Sequence, residues 1–400
     1  MAMKSMYDIC VVGGCGHAGL PLGLAFANRG KRVVLYDTNE KAVKGINAKR
    51  MPFLEEGGSE VLTRTVDSNL LSATTDIGVI EATPVLIIVI GTPVDEHLNP
   101  RLNDVMEVVH QIVGHLNDEQ LLILRSTLYP GVTIKINEFI RSLGKKTGVA
   151  FCPERIAEGR GLQELTTLPQ IVSGCDSQSA ERAKALFSVL TTDLVELSPT
   201  EAEFAKLFTN AWRYLNFAIS NQFYMIANSH GLDFHKIYHA MTQNYGRLQG
   251  FAKPGFAAGP CLFKDTMQLS AASNNNFFMG HAAMLVNEGM PNFLIEKLKA
   301  KFLLKEKVVG ILGMAFKANS DDSRESLAFK LKKLLELEAG KVLCTDPYIY
   351  QSGFVGTDTL LKESDIVILA APHSEYKTLS IKGKYVVDIW NFFDDGVGLL

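Results

Sequence analysis

The stretch that most restricts how this chain can fold is Tyr7 to Asp37. Tyr7-Asp-Ile-Cys-Val-Val12 is a short β-rich run that empties into Gly13-Gly-Cys-Gly-His-Ala-Gly19. Leu20 to Asn28 then has apolar residues at helical spacing, and Arg32-Val-Val-Leu-Tyr-Asp37 returns to strand character. Strand, helix and strand in this order make a βαβ unit, with G-x-G-x-x-G at Gly14, Gly16 and Gly19. These glycines permit a tight turn and a close backbone approach to a pyrophosphate, which rests on the helix N-terminus. Asp37 falls where an acid can take a ribose hydroxyl. No arginine stands beside it to accept a 2'-phosphate, so the expected cofactor is NAD rather than NADP.

The β/α alternation continues through Val85-Leu-Ile-Ile-Val-Ile90, Leu121-Leu-Ile-Leu124 and Gly148-Val-Ala-Phe151. Each run ends in a polar loop: Gly91-Thr-Pro93, Arg125-Ser-Thr-Leu-Tyr-Pro-Gly131 and Cys152-Pro-Glu-Arg155. In an open parallel sheet ligands lie at the carboxyl ends of the strands, which places Thr92, Thr127 and Glu154 at the cofactor and substrate mouth. Thr92 and Thr127 also have the simpler reading of helix caps.

Near Pro199 the pattern changes to a long helix from Thr200 to about Ser229. Its apolar positions Phe204, Phe208, Ala211 and Leu215 recur at helical spacing, and Lys206 and Asn210 share a different stripe, four residues apart. Further helices are expected to about Leu303. Strands then resume at Lys307 to Gly313, Lys341 to Cys344, Asp365 to Ala370 and Tyr385 to Asp388. The turn after the first of these, Gly313-Met-Ala-Phe-Lys317, lacks G-x-G-x-x-G, so a second dinucleotide is not expected there. The fold class is therefore α/β, with two Rossmann-like parallel-sheet domains joined by a long central helix and a helical domain. The expected segments are 1–198 for the NAD-binding domain, 199–303 for the central helical domain and 304–400 for the second sheet.

A length of 400 residues suits two or three cores rather than one. A net charge of -3 provides no basic field for nucleic acid, which favours a small-molecule enzyme. The six cysteines lie far apart without metal-ligand spacing, and Met1 to Met6 runs straight into a strand, so a reducing cytoplasm is expected. His235 and His239 are four apart, but no third ligand stands near them, so no metal is expected. The run Val85 to Ile90 is far too short to span a bilayer, so no membrane association is expected.

The chemistry concentrates in Lys253-Pro-Gly-Phe-Ala-Ala-Gly-Pro-Cys-Leu-Phe-Lys-Asp265, where one thiol sits among glycines, prolines and charges. Gly255, Gly259 and Pro260 suit a pre-shaped turn. Lys264 and Asp265 put a cation and a carboxylate within a helical turn of Cys261, and a nearby cation favours the nucleophilic thiolate. A half-buried structural cysteine is the alternative.

Taken together these residues resemble the UDP-glucose/GDP-mannose dehydrogenase family of nucleotide-sugar 6-dehydrogenases. The marks are Gly14-Cys-Gly-His-Ala-Gly-Leu-Pro-Leu-Gly23, Ser126-Thr with Pro130-Gly131, Pro153-Glu-Arg155, Glu203 through Asn210, Cys261-Leu-Phe-Lys-Asp265, and Gly313-Met-Ala-Phe-Lys317 with Asp322-Ser-Arg-Glu-Ser326. The resemblance spans essentially the whole chain. It implies oxidation of a sugar C6 alcohol to a carboxylate with reduction of two NAD at one site, an activity of polysaccharide biosynthesis. By matching position, Cys261 would trap the aldehyde as a thiohemiacetal that is oxidised to a thioester. Lys206 and Asn210 would stabilise the oxyanion, Asp265 with Thr127 would hold and activate a water, and Glu154 would assist hydrolysis. Lys317 and Arg324 would meet the nucleotide phosphates or a subunit contact, Arg247 would reach a neighbouring subunit's site, and the long helix would form a homodimer or larger assembly.

The chain departs from the family pattern in two places: Ala257-Ala258 where relatives commonly carry glycines, and Trp390 where many carry an arginine. Arg155 after Glu154 resembles the UDP-N-acetylhexosamine branch, so UDP-N-acetyl-D-mannosamine or UDP-N-acetyl-D-glucosamine is the expected substrate, with UDP-glucose as the alternative. A two-electron 2-hydroxyacid or 6-phosphogluconate-type dehydrogenase would share the first sheet and a helix-borne lysine but would have no use for Cys261. A non-catalytic NAD sensor would not need the set of Cys261, Lys206 and Glu154.

Overall fold

The computed structural model describes residues 6–92, 95, 101, 103–256, 259 and 261–393. Pro93, Ala257, Ala258 and Pro260 lie outside the described residues. The chain divides into two compact units, Met1–Thr209 and Asn210–Leu400, with the division inside the long helix.

In the first unit β1 (Ile9–Val12), β2 (Val33–Tyr36), β3 (Leu71–Thr74), β4 (Val85–Ile88), β5 (Leu121–Leu124) and β6 (Gly148–Phe151) form one sheet in the order β3-β2-β1-β4-β5-β6. All five pairings are parallel. Strand order reverses between β1 and β4, so their carboxyl ends open the crevice where such sheets bind ligands. β1, β5 and β6 are buried along their whole length, which is why they read as unbroken apolar runs. At the sheet's edge β3 is Leu-Ser-Ala-Thr, alternately buried and half-buried. A two-stranded parallel sheet of β7 (Gln170–Val172) and β8 (Leu194–Glu196) follows. Neither β3 nor this pair stood out in the sequence, because three or four residues of mixed polarity carry too little periodicity.

Pro199–Ser229 is a single helix of 31 residues. Its apolar reading needs correction: Ala211 is buried, but Phe208 is 56% exposed. The buried side carries Leu207, Tyr214, Ala218 and Asn221, together with Lys206 and Asn210. Phe208, Trp212, Ile219, Phe223 and Ile226 form an outward stripe instead. The helix has apolar residues on two sides, and spacing alone does not say which side faces the core.

The start of this helix is pinned within the first unit by Glu203, which is fully buried. One carboxylate oxygen accepts the Gly131 N–H at 2.6 Å, and the other accepts the Thr133 N–H at 2.8 Å and the Thr133 hydroxyl at 2.6 Å. These amides open the helix Val132–Ser142 and have no partner inside it. A carboxylate there satisfies them and opposes the positive end of the helix dipole. Burial nevertheless pushes the Glu203 carboxyl above its usual range.

In the second unit β9 (Val308–Leu312), β10 (Lys341–Thr345), β11 (Ile366–Leu369) and β12 (Tyr385–Val387) form a parallel sheet in the order β10-β9-β11-β12. The turn after β9 begins at Gly313, and its Met314 and Ala315 amides donate to Asp346 Oδ2 at 2.6 and 3.0 Å. The chain's own carboxylate thus occupies them. Helices Leu262–Ala272 and Phe278–Lys301 precede this sheet. No helix among the described residues is long and apolar enough to cross a membrane.

Replacing Glu203 by Gln keeps the size but turns an NH2 toward donors on Gly131 and Thr133. Glu203→Gln is expected to lower unfolding stability by about 2 kcal/mol, read as an earlier denaturant midpoint at unchanged slope. An unchanged midpoint would mean that the carboxylate is not what holds the two helices.

Candidate active site

The turn after β1 is built for close approach. A Cβ on Gly19 would lie 2.6 Å from the Gly13 carbonyl oxygen, whereas one on Gly16 would meet nothing nearer than that oxygen at 3.9 Å. Gly19 therefore lets the helix pack onto the turn, and Gly16 leaves its backbone open to a ligand. Asp37, one residue past β2, accepts the Cys15 N–H on Oδ2 and the Asn39 N–H on Oδ1, each at 3.0 Å. Its carboxylate is thereby fixed beside the glycine turn, an arrangement that fits the ribose and pyrophosphate of NAD.

Thr92 and Thr127 follow β4 and β5, and both are half-buried. Their loops are tied together by Ser126, whose hydroxyl accepts from the Ile90 N–H and donates to the Ile90 carbonyl, each at 2.8 Å. Glu154 follows β6. Its Oε2 takes Arg125 Nε at 2.8 Å and Nη2 at 2.7 Å, and its Oε1 takes the amides of Arg155 at 2.7 Å and Ile156 at 3.0 Å. Both oxygens are therefore engaged. Arg125, fully buried, also donates to the Cys152 carbonyl and Gln170 Oε1, and its guanidinium lies 4.9 Å over the Phe187 ring. The sequence reading overlooked Arg125. An arginine directly after the apolar run Leu121 to Leu124 was the available signal, since a charge at a buried strand exit needs a partner. Arg155 donates to the Pro169 carbonyl, and burial lowers its pKa.

In the second unit Cys261 stands at the start of the helix Leu262–Ala272 and is exposed. Asp265, one turn in, is fully buried. Asn210 Nδ2 donates to its Oδ2 at 2.6 Å, and Lys264 Nζ lies 2.7 Å from its Oδ1. The thiol thus stands at a helix N-terminus, an electropositive setting, with the Lys264–Asp265 ion pair following within one turn of the chain. Lys206 is one turn before Asn210 on the long helix, and both side chains are buried.

The remaining candidates are more peripheral. Arg247 is exposed in the short turn Gly246–Leu248, its guanidinium 6.0 Å from the centre of the Tyr245 ring. The Lys317 ammonium lies 5.5 Å over Phe316. Arg324 forks onto Asp322, with Nη2 at 2.6 Å, while its own side chain is 56% exposed.

Cys10, Cys15, Cys152 and Cys344 are buried and Cys175 is partly so, and burial pushes their thiols up, to about 12 for the first three and Cys175 and about 11 for Cys344. Near neutral pH all five stay protonated. Iodoacetamide in slight excess at pH 7.5 is therefore expected to modify Cys261 first, with peptide mapping as the readout. Labelling spread evenly over several cysteines would contradict this account of the thiol.

Sequence profiles of the UDP-glucose/GDP-mannose dehydrogenase family match the chain in three parts: the NAD binding domain over residues 7–191, the central domain over 200–288 and the UDP binding domain over 310–395. A UDP-N-acetyl-D-mannosamine dehydrogenase of Methanocaldococcus jannaschii is 31% identical over 96% of this chain and 92% of its own length. One of Yersinia pestis is 26% identical over 96% of this chain and 98% of its own. Among solved structures, the UDP-D-ManNAc dehydrogenase of Pyrococcus horikoshii superposes with a TM-score of 0.89 at 27% identity, covering 96% of this chain and 95% of that one. A UDP-glucose dehydrogenase of Pyrobaculum islandicum gives 0.89 at 26%, covering 98% and 96%. With its glycine turn and its exposed cysteine at a helix start, and with all three domains matched in order, the chain belongs to the UDP-glucose/GDP-mannose dehydrogenase family and is an NAD-dependent nucleotide-sugar dehydrogenase.

Proposed function

We propose that this enzyme oxidises C6 of UDP-N-acetyl-D-mannosamine to the uronic acid by a four-electron reaction through Cys261. The observation that carries the reading is the exposed Cys261 thiol at a helix start, one turn from a buried Asp265 held by Asn210 and Lys264. NAD, when bound, accepts a hydride in each of two oxidations. The alcohol loses a proton and a hydride to give the aldehyde, and the Cys261 sulfur adds to that carbon as a thiohemiacetal. Loss of a second hydride and a proton leaves a thioester. Water then replaces the sulfur, so one water is consumed and the thiolate is restored.

Lys206 and Asn210 are assigned the charge that develops on the C6 oxygen, for which a cation and an amide donor suit. Asp265 is assigned, with Thr127, to the hydrolytic water. Glu154, fixed at the end of β6 by Arg125 and two amides, is assigned to assist hydrolysis of the thioester. Asp37, Gly14, Gly16, Gly19, Thr92 and Thr127 are assigned to NAD, and Arg247, Lys317 and Arg324 to the nucleotide sugar. The names of several relatives and Arg155 after Glu154 support the N-acetylmannosamine assignment. UDP-N-acetyl-D-glucosamine and UDP-glucose are the competing sugars.

The outward stripe of Phe208, Trp212, Ile219, Phe223 and Ile226 supports assembly as a homodimer or larger homo-oligomer through the long helix. All six cysteines are free, which agrees with a cytoplasmic location.

The test is NADH release across UDP-N-acetylmannosamine, UDP-N-acetylglucosamine, UDP-glucose and GDP-mannose. Two NADH per UDP-N-acetylmannosamine consumed are expected. A higher kcat/KM on another sugar would overturn the sugar assignment, and one NADH with free aldehyde would overturn the four-electron mechanism.

A further inference from the structure

The segment leading to Cys261 is attached to the long helix through buried amide side chains that no part of the chemistry above requires. Gly255, six residues ahead of Cys261 in the chain, donates its N–H to Asn221 Oδ1 at 2.8 Å. Asn221 Nδ2 donates to Asn287 Oδ1 at 2.9 Å, and Asn287 Nδ2 donates to the Tyr214 carbonyl at 3.2 Å. Both asparagines are fully buried. The direction of this relay is fixed at both ends, because a backbone N–H can only donate and a carbonyl can only accept. Each amide therefore has one usable orientation, and an aliphatic residue at either position would leave buried polar groups unpaired.

On its other side Gly255 meets Trp390. A Cβ at Gly255 would lie 2.2 Å from the indole ring, and the residue's φ is +156°. The Trp390 amide is itself held by Asp388 Oδ1 at 3.1 Å, just past β12. The backbone at Gly255 is thus gripped between an amide on the long helix and a ring from the end of the C-terminal sheet. Asn216 adds a second attachment upstream, donating to the Gly250 carbonyl at 2.7 Å and accepting the Ala252 N–H at 3.1 Å. Asn210, eleven residues before Asn221 and hence about three turns away on the same side of the helix, holds Asp265 just after the thiol. One helix therefore grips the chain on both sides of Cys261.

We propose that Asn221, supported by Asn287, is a positioning residue for Cys261: it fixes the backbone at Gly255, six residues before the thiol, without touching the reacting atoms. The inference rests on the reading of Cys261 as the nucleophile. Nucleophilic attack tolerates little displacement, so release of Gly255 costs rate even where the fold survives.

The test compares wild type with Asn221→Ala and Asn287→Ala well below their unfolding temperatures. Four quantities are measured: the rate constant for iodoacetamide at Cys261, kcat with the UDP-sugar that supports turnover, the Kd for NAD, and the thermal midpoint. In Asn221→Ala, kcat is expected to fall by about tenfold and the alkylation rate to shift by about tenfold, with the NAD Kd within about twofold of wild type. In Asn287→Ala, which keeps the Gly255 acceptor but removes its support, both shifts are expected in the same direction at about threefold. A purely structural role would lower the thermal midpoint and leave Cys261 reactivity and kcat unchanged, and that result overturns the proposal. If Asn221→Ala does not fold, Asn287→Ala decides by the same criterion. Wild-type turnover that survives complete alkylation of Cys261 would overturn the nucleophile reading and this inference together. Unchanged reactivity in the variants of an enzyme that alkylation does inactivate overturns this inference alone.

Discussion

A carboxylate removed from water must be paired, and Asp265 is paired on both oxygens: with the Asn210 amide from the long helix and with the adjacent Lys264. Leaving such a group buried and unpaired would cost on the order of several kcal/mol. The helix that begins at Cys261 is therefore docked on the long helix by its own first turn. Much follows from that single attachment. The thiol's place at the helix start is fixed, Lys264 is held against the carboxylate, and the approach segment from Gly250 to Gly255 can be fastened to the same helix. The arrangement joins stability to chemistry, since the group that anchors the helix is the one proposed to handle water.

The two sheets solve the same problem at their first turns in opposite ways. After β1, Asp37 takes one amide of the turn, from Cys15, and Gly16 leaves open backbone. After β9, Asp346 takes the Met314 and Ala315 amides, and its other oxygen takes those of Tyr348 and Ile349. Buried His373 lies 3.1 Å from the same carboxylate, with Asn319 N–H donating to its other ring nitrogen. An acid at the end of the second strand thus leaves the glycine turn's backbone open at Gly16 in one unit and closes a turn on itself in the other. The closed version belongs to the part of the chain that matches the family's UDP binding domain.

Much of this was legible in the sequence because it rests on local rules. The glycine spacing, the strand before it and Asp37 after it name the βαβ unit, and the apolar runs at Val85, Leu121 and Ile366 name strands because they are short, rich in Leu, Ile and Val, and bounded by polar turns. The long helix was legible in extent but not in orientation: Phe208 reads as core and is exposed, while Lys206 and Asn210, on a different stripe, are buried. Burial of a polar side chain depends on a partner far away in the chain, and periodicity contains no information about partners. Arg125 with Glu154, Glu203 with Gly131 and Thr133, and Asn221 with Asn287 were all hidden for that reason. The pairing of Lys264 with Asp265 after Cys261 was legible because the two are adjacent in sequence as well as in space.

The central claim is that the Cys261 sulfur bonds to the sugar carbon, and Cys261→Ser tests it most directly in multiple-turnover and single-turnover NADH formation. The serine hydroxyl is nearly isosteric but is far less ionised and less nucleophilic near neutral pH. The account predicts a folded protein that binds NAD, with sustained turnover lower by roughly three or more powers of ten and any residual oxidation confined to the first step, at one NADH or less per site. Turnover near the wild-type rate with two NADH per sugar would contradict it and remove Cys261 from the reaction.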